Sequence, residues 1–167
     1  APPCATIGFG SHNIWRVKRV QLMEGLTRFV LSSPVAELNG EYDIPLLGKH
    51  QATNAALAIA AAAEMGLGRE MIVKGLSKCP QPRYRLQSTE RAGVTWVNDA
   101  YNANSDSVKV ALETLEDMPC EGKRYAVLGD MAELGASSKS SHIKIGEEVS
   151  EALVDEFIIC GKYSEYY

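Results

Sequence analysis

The sequence predicts an α/β protein in which antiparallel β hairpins and an alanine-rich helix are followed by a parallel βαβαβ series. Three observations lead there. Short β-prone runs separated by turn residues fill positions 4–47. From His50 the texture changes to a run built mostly of the best helix former. Beyond Val97, strand-like and helix-like segments alternate, which is the signature of right-handed parallel crossovers.

In the first stretch the runs 5–9, 14–23, 28–32, 35–38 and 42–46 read as strands, and Asn39-Gly40 reads as a tight hairpin because both residues tolerate positive φ. Residues 51–65 form a helix closed by Gly66. Small and apolar on nearly every side, it is expected to be buried. A second helix over 69–78 carries Met71, Ile72 and Leu76 as its stripe, and Pro80 and Pro82 stop it. A strand pair follows Leu86, its clearer half being 94–97. Ser105 can cap a helix to Asp117, with Val108, Ala111, Leu112, Leu115 and Met118 at helical spacing. Then come a strand over 125–128, a helix from Ser141 with Ile145, Val149, Ala152 and Leu153 inward, and a strand over 157–160. The boundary between the two halves falls at 99–104.

The composition narrows the function. With 167 residues, 46% of them hydrophobic and 23% charged, the chain can build a real core and is neither disordered nor fibrous. A net charge of -4 lacks the basic excess that nucleic-acid binding needs. No apolar run approaches the roughly 20 residues that cross a bilayer. Cys4, Cys79, Cys120 and Cys160 are far apart, as are His12, His50 and His142, so no zinc spacing arises. The thiols are expected to be reduced, buried small hydrophobes without chemistry.

Three polar segments can carry chemistry. The first, Asn98 to Ser107, follows a strand end, where open parallel sheets bind ligands. Asp99 there can accept sugar hydroxyls, while Asn102 and Asn104 offer donors and acceptors to a peptide-like ligand; a turn and helix cap would use the same residue types. The second, Gly129 to Gly135, is a long loop after an apolar strand, with Met131 and Leu134 to order it. The third, Gly48-Lys49-His50-Gln51, opens the alanine helix, and Gln51 can pair with an adenine edge. Arg83 and Arg85 could contact phosphate or pair with acidic surface. Neither a Gly-x-x-x-x-Gly-Lys-Ser/Thr loop nor a Gly-x-Gly-x-x-Gly turn opening a helix occurs in the chain.

Taken in order, Gly48-Lys49-His50-Gln51-Ala52-Thr53-Asn54, Pro82-Arg83-Tyr84-Arg85-Leu86, Asn98-Asp99-Ala100-Tyr101-Asn102-Ala103-Asn104 and Leu128-Gly129-Asp130-Met131-Ala132-Glu133-Leu134-Gly135 with His142 resemble the Mur ligases of peptidoglycan synthesis. The resemblance implies a cytoplasmic, monomeric, ATP-dependent amide ligase using Mg2+, with UDP-N-acetylmuramoyl-tripeptide and D-alanyl-D-alanine as substrates. Residues 1–98 would then end a central ATP-binding domain, and 99–167 would begin a C-terminal Rossmann-like one. His50, Gln51, Arg85 and Asp99 fall where the family meets ATP, with Gln51 standing for an Asn and Lys49 for an Arg. Tyr101, Asn102, Asn104, Asp130, Met131 and Glu133 fall on the dipeptide side. The family's phosphate loop, metal-bridging acids and modified lysine would precede Ala1, so residues 1–167 are expected to be a fragment without turnover by itself. A folylpolyglutamate synthase-like ligase, and a non-catalytic nucleotide- or peptide-binding module, are the alternatives; Tyr101-Asn102-Ala103-Asn104 speaks against the former.

Overall fold

The computed structural model describes residues 4–167. Its first half is a four-stranded sheet, ordered β1 (Ile7–Gly8), β2 (Trp15–Met23), β3 (Leu26–Ser32) and β4 (Gly40–Ile44). β1 runs parallel to β2, and the other pairs are antiparallel. Period-2 alternation sets one face inward: Trp15 and Val17, then Thr27, Phe29 and Leu31, then Tyr42 and Ile44 are all buried. Onto this face α1 (Lys49–Glu64) lays Ala52, Ala55, Ala56, Ile59 and Ala60. Alanine side chains end at Cβ, so this helix can approach the sheet closely. α2 (Arg69–Leu76) adds Ile72 to the core, while the Arg69 guanidinium donates to Asn39 O, Glu41 O and the Tyr42 hydroxyl.

Several local expectations change here. The tight turn lies at Glu24-Gly25, where Gly25 has φ +69°, and not at Asn39-Gly40. Residues 36–38 form a 3-10 turn instead of a strand, because Asn39 Oδ1 accepts the Ser33 amide at 2.5 Å and folds the loop onto itself. The alanine helix is covered on one side only: Leu57 on its outer face is 59% exposed. α2 stops at Leu76 and leaves Met71 in solvent. Of the four cysteines, Cys4, Cys120 and Cys160 are exposed and Cys79 is half-buried, so they do not serve as core filler.

The second half holds an antiparallel hairpin, β5 (Gln87–Arg91) with β6 (Val94–Asn98), then α3 (Ser105–Asp117), β7 (Tyr125–Leu128), α4 (Ser138–Glu151) and β8 (Glu156–Ile159). β7 and β8 are parallel and joined through α4, which gives the expected crossover. β6 does not join that sheet. Ala92 and Gly93 both have positive φ, +53° and +73°, which closes a two-residue turn that pairs β6 with β5. Val108, Leu112, Ala126, Met131, Ile145 and Val149 form the second core. α4 starts at Ser138, before Ser141, and Leu153 lies beyond its end, 72% exposed. Among the described residues no helix is long and apolar enough to cross a membrane.

A third cluster ties the halves together. Leu22 and Leu47 from the first pack with Leu86 and Met118 from the second. Beside it, Lys49 at the start of α1 pairs with Asp117 at the end of α3 at 2.7 Å.

The cap of α3 is Asn104 and not Ser105. Its Oδ1 accepts the Ser107 amide at 2.9 Å, and Ser107 Oγ accepts the Asn104 amide at 3.0 Å. Asn104→Ala is therefore expected to cost about 1 kcal/mol, and Asn104→Asp to retain most of it, when thermal unfolding of the full-length protein is followed.

Candidate functional site

The end of β6 is where separated segments meet. Asp99, the first residue beyond the strand, accepts the Leu86 amide on Oδ1 at 2.9 Å. Two residues on, the Tyr101 amide donates to Tyr84 O at 3.0 Å. The 99–101 segment thus clamps Tyr84-Arg85-Leu86, a triplet in which Tyr84 and Leu86 have φ of +59° and +45°. Left-handed backbone at two non-glycine residues is strained and persists only where the surroundings enforce it. Between them, the Arg85 guanidinium lies 4.2 Å from the centroid of the Tyr101 ring.

His50 comes to the same corner from the first turn of α1. A Cβ on Gly48 would collide with the imidazole, so the entry to the helix requires glycine there. Half-buried, His50 is pushed below its ordinary pKa of 6.5 by loss of water, with the Asp99 charge opposing that shift. Its Nδ1 is buried and has no hydrogen-bond partner among the described residues. Burial pushes Asp99 above the ordinary 3.8, against the Leu86 amide and the charges of His50 and Arg85. Next to His50, a recess of about 60 Å³ is lined by Lys49, Val110, Glu113, Thr114 and Asp117. It is too small for a nucleotide, whose pockets run to roughly 300 Å³ and more, so the corner can form only one wall of such a site. Gln51, on the same turn, accepts Asn54 Nδ2 on its Oε1 at 3.2 Å.

A second locus lies beyond β7. The Asp130 carboxylate accepts the Lys162 and Tyr163 amides at 2.8 and 2.9 Å, which holds it below the ordinary carboxylate range. Gly161, with φ +116°, makes room for it: a Cβ there would collide with Asp130 Oδ1. Met131 is 1% exposed, and its amide donates to His142 Nε2 at 3.1 Å. His142 Nδ1 lies 2.6 Å from Ser138 O, which places the proton on Nδ1. The imidazole, 0% exposed, stacks on Tyr163 and meets Tyr167 edge-on. Glu133 is exposed, with φ +60°, and unlike Asp130 its carboxylate has no hydrogen bond or ion pair among the described residues.

The residues singled out from sequence therefore sort into three kinds. His50, Arg85, Asp99 and Tyr101 assemble at one corner. Asp130, Met131 and Glu133 share the second locus, but the Asp130 carboxylate and the Met131 side chain are engaged within the fold. Asn102 stays exposed, its Oδ1 accepting the Ala103 amide, and Asn104 is the helix cap. Among the described residues no hydrogen bond or ion pair links the two loci. Sequence reasoning assigned no role to His142, and missed the Arg85–Tyr101 contact and the amides of Lys162 and Tyr163; a contact made by backbone leaves no side-chain signal. Among the described residues no group of three His, Cys, Asp or Glu could hold a metal.

Asp130→Asn tests the second locus. A carboxylate held low in the fold contributes stability above its unfolded value of 3.8, and that contribution disappears as pH falls through the folded value. Wild type is expected to melt above Asp130→Asn at neutral pH, with the gap shrinking below about pH 4.

Comparison with known proteins places these loci in context. Residues 84–166 match the family model described as Mur ligase, glutamate ligase domain. The chain is 36% identical over 163 residues to the UDP-N-acetylmuramoyl-tripeptide--D-alanyl-D-alanine ligase of Bacillus subtilis (strain 168), covering 96% of this chain and 35% of that protein. The crystal structure of MurF from Acinetobacter baumannii superimposes with a TM-score of 0.83 at 29% identity, over 94% of this chain and 34% of that one. MurF ligase from Thermotoga maritima, solved in complex with ADP, shares the fold at TM-score 0.74 and 23% identity, over 93% of this chain and 35% of that one. The chain spans about a third of the length of the curated relatives it matches.

Proposed function

The chain belongs to the Mur ligase family, and on that premise we propose that the full-length protein uses ATP to join D-alanyl-D-alanine to UDP-N-acetylmuramoyl-tripeptide. The tripeptide carboxylate attacks the γ-phosphorus and displaces ADP. The dipeptide amine then attacks the acyl carbon, losing a proton as phosphate leaves, and an amide remains. Such chemistry depends on charge at the phosphates and on holding the amine near the acyl carbon.

The observation that carries this reading is the meeting of His50, Arg85, Asp99 and Tyr101, from three separate segments, at the end of β6. Asp99 would accept the ribose hydroxyls, Arg85 would face phosphate, and His50 with Gln51 would line the adenine. A neutral His50 suits an uncharged base. On the dipeptide side, Asn102 and Glu133 present free polar groups, and Glu133 could meet an ammonium. Asn104, Asp130 and Met131 would act through the loops they hold. Residues 1–98 would complete the ATP-binding domain and 99–167 would open the next; the two cores are separate and lie on either side of the β5–β6 hairpin. A cytoplasmic monomer using Mg2+ completes the proposal.

The test is phosphate release by the full-length protein, with product identified by mass. Release that needs ATP, tripeptide substrate and D-alanyl-D-alanine together, and that yields the pentapeptide, is the expected result. Release supported by glutamate in place of the dipeptide would overturn it.

A further inference from the structure

We infer that Tyr101 is a positioning residue for Arg85, its ring holding the guanidinium where a phosphate-bearing ligand meets it. The inference rests on the reading of Arg85 as a nucleotide contact and assigns Tyr101 away from the dipeptide.

The Arg85 guanidinium makes no hydrogen bond or ion pair among the described residues, so its five donors are all available. The Tyr101 ring lies 4.2 Å from the guanidinium carbon, and the Asp99 carboxylate is near enough to feel its charge. Stacking on an aromatic face fixes the plane of the fork without using any N–H, which leaves the bidentate edge open to an anion. An exposed arginine otherwise samples many rotamers, at an entropic cost when it is fixed by a ligand.

The backbone supports the same geometry. Tyr84 and Leu86, left-handed on either side of Arg85, are held by the Tyr101 amide and the Asp99 carboxylate. Leu86 is buried in the cluster between the halves, which anchors one end of the triplet. Tyr101 therefore fixes Arg85 twice, by its amide through Tyr84 and by its ring directly. Tyr101 is 63% exposed, so core packing does not account for its presence.

The experiment is a double-mutant cycle on the full-length ligase with ATP and dipeptide varied separately. Tyr101→Leu is expected to lower kcat/KM for ATP about three- to fivefold, the size of an exposed cation–π contact, with KM for the dipeptide unmoved. Tyr101→Phe, which keeps the ring, should restore most of that loss. In an Arg85→Ala background, Tyr101→Leu should cost nothing further. Equal losses in both backgrounds, or a raised dipeptide KM, would overturn the positioning role while leaving the nucleotide reading of Arg85 intact. An Arg85→Ala protein with unchanged kcat/KM for ATP would overturn both. Melting curves of Tyr101→Phe and Tyr101→Leu separate a folding defect from the kinetic effect, and if the leucine variant does not fold, failure of the Phe variant to keep ATP dependence near wild type would still refute the role.

Discussion

His142→Leu is expected to destabilise the second half of the protein by about 2–4 kcal/mol, the largest loss from any single polar side chain there. The imidazole is fully buried and serves two backbone groups at once, the Met131 amide at 3.1 Å and Ser138 O at 2.6 Å. Leucine fills similar volume and satisfies neither: the buried Met131 amide is stranded, while Ser138 O keeps only the helical bond from the backbone amide of residue 142. The stack on Tyr163 is lost as well. Because Tyr163 gives its amide to Asp130, release of the ring also loosens the Asp130 clamp. Thermal unfolding of the full-length protein, with hydrogen exchange at the Met131 amide, measures the loss. An amide that stays protected in the variant would contradict the assignment.

Asp99→Ala is expected to weaken ATP binding about 10- to 100-fold, the loss of a charged acceptor of about 1.5–3 kcal/mol. The same change removes the acceptor for the Leu86 amide. Asp99→Asn separates the two roles, because its Oδ1 can still take that amide. The sign of the pH effect follows from burial. A carboxyl whose folded pKa is raised above 3.8 contributes most below that value, and its contribution declines as pH rises through the folded pKa. At pH 7 the ionised Asp99 is held against its solvation preference. The Asn variant is thus expected to melt no lower than wild type at pH 7, and to bind ATP more weakly in calorimetric titration. A variant that melts lower and binds ATP normally would contradict both halves of the statement.

Much of this was legible in the sequence for identifiable reasons. The alanine run, the Val108–Leu112 spacing and the apolar strand before Gly129 are periodic signals, and α1, α3 and β7 lie where those signals put them. The polar residues at the end of β6 were legible because turns after strands collect ligands. What they do in the fold was not. Asn104 and Asp130 are polar residues in polar loops, and only coordinates reveal that a cap consumes one and two backbone amides consume the other. Asn39-Gly40 is a stronger hairpin signal than Glu24-Gly25, yet the Asn39 side chain bonds Ser33 and the turn forms elsewhere. The strand pair after Leu86 was legible and is β5 with β6; that β6 stays out of the parallel sheet was not, since a short apolar strand suits a hairpin and a crossover equally. Cysteine burial failed because the assumption was statistical and the exposed sites of Cys4, Cys120 and Cys160 are particular.

The most direct measurement is a crystal structure of the full-length protein with ADP and D-alanyl-D-alanine bound. The expected result is a ribose on the Asp99 carboxylate, adenine against His50 and Gln51, and the dipeptide between Asn102 and Glu133. A nucleotide seated away from His50, Arg85 and Asp99 would contradict it.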